Sequence, residues 1–288
     1  MKSTHSSDPR ETSHTVPSSR LMARMNGTLF YTVGAACLIE AAAAVHAKRL
    51  LAAFGPETAF GQWIDQCWLP EKLERARLLQ EYAIGIWPEL DWPRACAEFE
   101  QAASRARGVP GTHRRAHEAL GHCVAAAQAS LFYGVMSVWA EDVHVRQLTR
   151  RSGVAERASF EHFKDAFELA HRQERLGLWA TFREALARVI YARDNIVRAA
   201  FEMLQSHWSG TPPFPDLSYA EFLRRAGSVA RRDGMLAWPH RVLLRPWFRQ
   251  PTALRVRVTS DAMKWRARES DRPFRSKVGA SVHAAHAA

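Results

Sequence analysis

Two acid–imidazole pairs carry the clearest chemical possibility in this chain. Glu141 and His144 stand three residues apart, as do Glu168 and His171, and Glu174 follows His171 by three. Residues three apart on a helix share a face. Each pair therefore presents a carboxylate and an imidazole side by side, a donor set suited to a transition metal. A chain reversal near residue 154 would bring Glu141 and Glu168 level on antiparallel helices. Glu40, set in the apolar run 28–47, is the obvious further acid.

This E-x-x-H repetition resembles the carboxylate–histidine sets of ferritin-like di-iron proteins. The resemblance implies a di-iron or manganese oxidase in which glutamates bridge two metals and histidines complete the shell. The pattern departs from that family in placing its two motifs on adjacent helices, where the family has them on the second and fourth. The same residues also suit an interhelical cluster of hydrogen bonds and ion pairs, which needs no cofactor. A second group, His113, His117, Glu118 and His122, has one-turn spacing but no identifiable third metal ligand.

The C-terminal segment interleaves guanidinium groups with aromatic rings: Arg241, Arg245, Trp247, Arg249, Arg255, Arg257, Lys264, Trp265, Arg266 and Arg268. Such a mixture suits an anionic surface, a lipid interface or nucleic acid. It equally suits an arm whose rings pack on a core while its arginines face water.

The elements that position these residues read as all-α. The sequence predicts a helical bundle built on a long antiparallel hairpin, about 112–150 and 156–208, broken at Arg150-Arg151-Ser152-Gly153. Its stripes are Leu120, Val124, Ala127, Leu131, Val135 and Val138 on one side, and Phe160, Phe163, Phe167 and Ala170 on the other. Gly177 marks a kink or break in the second arm. Earlier helices are expected over Leu29–Phe54, Glu57–Trp68, Pro70–Trp87 and Trp92–Arg107. Residues 1–26 read as a disordered tail, 27–209 as the bundle and 210–288 as a basic segment. That segment follows a Pro-rich boundary at 209–215 and begins with a short helix at about 217–232.

Charge follows the same division. Residues 1–26 hold four basic and two acidic residues, 27–209 hold 21 of each, and 210–288 hold 15 basic and six acidic. Most of the net +11 thus sits in the last segment. Arginine outnumbers lysine 34 to 6, which points to codon bias, so arginine here need not mean phosphate recognition. Cys37, Cys67, Cys96 and Cys123 form no C-x-x-C pair and read as small apolar side chains in a reducing, cytoplasmic setting. The apolar runs 28–47 and 123–140 approach membrane-span length, but Glu40 and their alanine content favour buried bundle helices. Only a start at Met22 would turn the first run into a secretory signal.

No P-loop, G-x-G-x-x-G or G-x-S-x-G motif occurs. The expected function is therefore a non-enzymatic helical binding or scaffolding protein with no cofactor. Its expected partner is a protein, or an anionic or apolar surface such as a membrane or storage granule. The alanine-rich helices with Phe160, Phe163 and Phe167 are similar in style to phasins, which coat polyester granules. The ferritin-like oxidase and a nucleic-acid-associated protein are the alternatives.

Overall fold

The computed structural model describes residues 16–105, 114–140 and 143–232. The chain there is all-α. The helices are α1 (Val16–Arg24), α2 (Gly27–Ala41), α3 (Ala43–Phe54), α4 (Ala59–Trp63), α5 (Leu69–Ile86), α6 (Trp92–Arg105), α7 (Arg115–Trp139), α8 (Val143–Glu174), α9 (Leu178–Tyr191), α10 (Arg198–Ser206) and α11 (Tyr219–Arg232). Wider π-helical turns lie between α4 and α5 and between α9 and α10.

The interior is organised around α2. Asn26 caps it, its side chain accepting from the Leu29 amide. Leu29, Phe30, Val33, Ala35, Cys37 and Leu38 are all buried, as expected of a helix apolar on every face. Neighbours α5, α6, α7, α10 and α11 surround it. Gly34 admits α10 at close range, since a Cβ there would lie 2.6 Å from a Leu204 methyl. Phe30 meets Trp87, Trp208 and Phe214 at centroid distances of 5.0–5.2 Å, and Tyr31 stacks on Phe201 at 4.1 Å. A single antiparallel bridge joins Leu90 to Trp208, flanked by the bonds Asp91 N–H to His207 O and Ser209 N–H to Glu89 O.

The long hairpin exists, but it turns elsewhere than expected. The chain reverses between Ala140 and Val143, and Arg150-Arg151-Ser152-Gly153 continues α8 without a break. Ser152 and Gly153 look like a helix terminator in sequence, yet they are small residues on the packed seam. Ser130 donates its hydroxyl to the Gly153 carbonyl at 3.2 Å, and the Arg157 guanidinium donates back to Ser130 at 3.3 Å. The second arm ends at Glu174. Arg175 adopts a left-handed φ of 50°, and α9 starts after Gly177.

Two further expectations change. Val16–Arg24 is helical, where a tail through residue 26 was expected. Trp87 donates its indole N–H to the Arg24 carbonyl, and the Arg24 guanidinium reaches Glu89 and the Ile86 carbonyl. Nor does the core stop at the Pro-rich stretch: Phe214, Leu217 and Phe222 are buried in the same cluster as α2. Two stretches, Gly27–Phe54 and Arg115–Trp139, are long and apolar enough to cross a membrane. Of their most apolar windows, 78% and 56% are buried within the fold.

Candidate functional site

Four helices bring ionisable side chains together in the middle of the bundle. Glu40 comes from α2, Lys72 and Arg75 from α5, Tyr133 from α7 and Glu156 from α8. The Lys72 ammonium donates to Glu40 at 3.0 Å and to Glu156 at 2.7 Å. The Arg75 guanidinium donates to Glu40 through Nε and Nη2, both at 3.4 Å, and also reaches Glu156. The Tyr133 hydroxyl donates to Glu40 at 2.7 Å. Glu40 is 3% exposed and Glu156 1%, so the group is closed to solvent. Two carboxyl groups meet one lysine and one arginine, so the formal charges balance.

Burial raises a carboxyl's pKa and opposing charge lowers it; the two effects split the pair. Burial pushes Glu40 up, but the Lys72 and Arg75 charges and the Tyr133 hydrogen bond outweigh it and hold the group below the usual carboxylate range. For Glu156 burial prevails over the same two cations, aided by repulsion from Glu40, and its pKa is raised. Burial and the Glu40 charge push the Tyr133 phenol well up. In carboxylate-lined four-helix bundles, two metal ions neutralise the inward-facing acids. Here an ammonium and a guanidinium do so, and Glu40 spends its lone pairs on them.

Beside it lies an imidazole pair. His46 of α3 and His122 of α7 meet edge to face at 5.7 Å; His122 also stacks on Phe163 at 4.9 Å. Burial, then the nearby Arg49 and Lys72 charges, depresses His46 to about 4. Burial and His46 itself hold His122 well below its usual value. Both rings are neutral at pH 7.

Of the two acid–imidazole pairs singled out in the sequence, only Glu168 and His171 lie wholly within the described residues, and their side chains have separate partners. Glu174, the last residue of α8, stands opposite the start of α7 and accepts from the Arg115 amide at 2.9 Å. Glu168 is on the surface, 3.6 Å from Lys164. His171 packs against Phe167 at 5.3 Å. Glu40, the further acid expected to join them, belongs to the buried ion cluster. Glu141 and the His144 side chain lie outside the described residues, as do His113 and the basic positions Arg241 through Arg268. Among the described residues, no group of three or more His, Cys, Asp or Glu is arranged to hold a metal ion.

Sequence reasoning missed Lys72, Arg75, Tyr133 and Glu156, although a signal existed. Lys72, Arg75 and Ala76 head the stripe that continues through Leu79, Ala83 and Ile86. Charged residues on an apolar stripe demand buried partners.

At the surface, α1 and α11 flank a groove of about 270 Å³ lined by Met22, Met25, Trp139, Asp216, Leu217 and Arg225. Large apolar side chains stand open around it in space or sequence: Leu21 is 60% exposed, Met22 58%, Met25 51%, Val138 52% and Val143 54%. Arg224 and Arg225 of α11 share Glu221, so the helix keeps an excess of positive charge.

Comparison with protein-family models, with curated proteins and with solved structures finds nothing that matches this chain.

Proposed function

We propose that this chain is a non-enzymatic helical bundle that docks on an anionic lipid surface through the face formed by α1 and α11. The observation that carries the reading is the row of exposed apolar side chains, Leu21, Met22 and Met25, beside the Met- and Trp-lined groove. Scattered apolar residues on a soluble surface need no explanation, whereas a contiguous set marks an interaction site. Methionine adapts to irregular apolar partners. The central ion cluster argues in the same direction, because Glu40, Glu156, Lys72 and Arg75 satisfy one another.

Charge selects the partner. Residues 210–288 carry 15 basic against six acidic residues, and a negative lipid surface attracts such a segment at about 1 kcal/mol per basic residue. Each apolar side chain adds about 1.5–3 kcal/mol on full burial. Neither contribution alone anchors a protein stably; two signals together do.

Co-sedimentation of the full chain with vesicles tests this. Binding is expected to phosphatidylglycerol-containing vesicles and not to pure phosphatidylcholine, falling steeply with added NaCl. The Met22→Asp/Met25→Asp variant should bind at least about tenfold more weakly while keeping its helical circular dichroism. Equal binding by that variant, or no binding to anionic vesicles, overturns the reading. Salt-sensitive retention on duplex DNA without vesicle binding would reassign the basic segment to nucleic acid.

A further inference from the structure

The groove between α1 and α11 carries opposite charges as well as apolar walls. Met22, Met25, Trp139 and Leu217 line it, together with one guanidinium, Arg225, and one carboxylate, Asp216. These two are not paired with each other. Arg225 donates through Nε to Glu221 at 2.7 Å, which leaves its two Nη nitrogens without an acceptor among the described residues. Asp216 makes no ion pair among the described residues, and the cap of α11 is Ser218, whose hydroxyl accepts from the Glu221 amide at 3.2 Å. On the docking reading above, on which this depends, we propose that the groove seats the headgroup of one phosphatidylethanolamine, with its phosphate on Arg225 and its ammonium on Asp216.

Three features select this headgroup. Charges of opposite sign on one groove fit a zwitterion better than a simple anion, which Asp216 repels. A guanidinium presents a fork of N–H donors that matches phosphate oxygens. A primary ammonium carries three N–H donors for a carboxylate. The quaternary nitrogen of choline carries none and is held instead by cages of several aromatic rings, whereas Trp139 is the one aromatic residue among those lining this groove.

Size and setting agree. The groove encloses about 270 Å³, just under the range of about 300–1,000 Å³ typical of sites that enclose a whole small molecule. It takes a headgroup and leaves the acyl chains outside. The exposed thioethers of Met22 and Met25 offer adaptable apolar surface to the glycerol backbone and the first methylenes. Tryptophan is enriched at headgroup depth, where its ring is apolar on one side and wet on the other. The basic segment draws the chain to anionic lipid at long range, and the groove selects among lipids at contact.

Co-sedimentation of the full chain with two sets of vesicles tests this. Both sets contain the same fraction of phosphatidylglycerol; the remainder is phosphatidylethanolamine in one and phosphatidylcholine in the other. Binding to the first is expected to be on the order of tenfold tighter. Asp216→Asn and Arg225→Gln, both at exposed positions, should each lose that preference while binding the phosphatidylcholine set as the unaltered chain does and keeping their helical circular dichroism. Calorimetric titration should show short-chain phosphatidylethanolamine binding more tightly than soluble phosphoethanolamine. Equal affinity for those two would assign the groove to a free phosphate ester and overturn the lipid. Equal binding to both vesicle sets, or a preference that survives in both variants, overturns the proposal and leaves the docking reading standing. Binding to neither set overturns the docking reading itself, and this proposal with it.

Discussion

Lys72 and Glu156 lie 84 positions apart in the chain, yet their Nζ and Oε1 atoms are 2.7 Å apart at the centre of the bundle. The same ammonium bonds Glu40 of α2. One lysine thus joins α5 to both α2 and α8, at a place where no water can replace a lost partner. Removing one member of a buried ion group leaves an uncompensated charge, at a cost of about 3–5 kcal/mol. Lys72→Met is therefore expected to lower the unfolding free energy by about that amount in urea titration. Adding Glu156→Gln to it should recover much of the loss, because it restores neutrality. Additive losses in the double variant would show that the two groups act independently.

Acid should weaken the fold through its two buried histidines. His46 is held at about 4, and His122 is also depressed, both by burial first. A histidine depressed in the folded state binds fewer protons there than when unfolded, so stability falls as pH drops through the window between. That window runs from about 6.5 to about 4 for His46. Each histidine contributes up to about 1.4 kcal/mol per pH unit within it. Urea midpoints at pH 7.5, 6 and 5 should decline, and His46→Gln should decline less. Below the ordinary carboxylate pKa Glu40, whose pKa is lowered, also gives up its stabilising charge; Glu156, whose pKa is raised, changes in the opposite sense and above that value.

Gly34 tests the packing of α2 on α10. Alanine favours a helix over glycine by about 1 kcal/mol. Here the added methyl would sit 2.6 Å from Leu204, which is itself fully buried. Overpacking of this kind costs about 1–3 kcal/mol, so Gly34→Ala should lower the melting temperature despite its better propensity. Combined with Leu204→Ala, which opens the space, its effect should shrink or change sign.

Arg24 fixes α1 to the bundle through Glu89 and the Ile86 carbonyl, and both charged side chains are 33% exposed. An ion pair this open contributes about 1 kcal/mol at most. Arg24→Ala should leave the global melting temperature nearly unchanged. It should raise amide exchange in α1 and weaken anionic-vesicle binding severalfold, because the apolar row on α1 is no longer held in place. Unchanged vesicle binding with a loosened α1 would remove that helix from the docking face.

Helix identity was legible wherever periodicity ran unbroken with good end signals. Pro70 in the first turn of α5 and Asp91 before α6 place those helices close to where they occur. Asp91 Oδ1 indeed accepts from the Arg94 amide. The hairpin's turning point was not legible, because serine and glycine serve equally as a chain break and as the thin residues of a tight helix seam. Register depends on that distinction. A reversal placed near residue 153 made Glu141 and Glu168 look like facing partners and made Glu156 look like a first-turn acid. The real reversal puts Glu156 mid-helix, facing Lys72.

The central position of α2 also bears on how the chain is made. Its partners Phe201, Phe214 and Phe222 are synthesised roughly 170–190 residues after Phe30 and Tyr31. At about 5–20 residues per second, that interval is on the order of ten seconds or more. Through it, one of the most apolar stretches of the protein has only the part of its cover that α5, α6 and α7 supply. The nascent chain is thus most vulnerable to aggregation at its beginning, and the α10–α11 end closes the fold last.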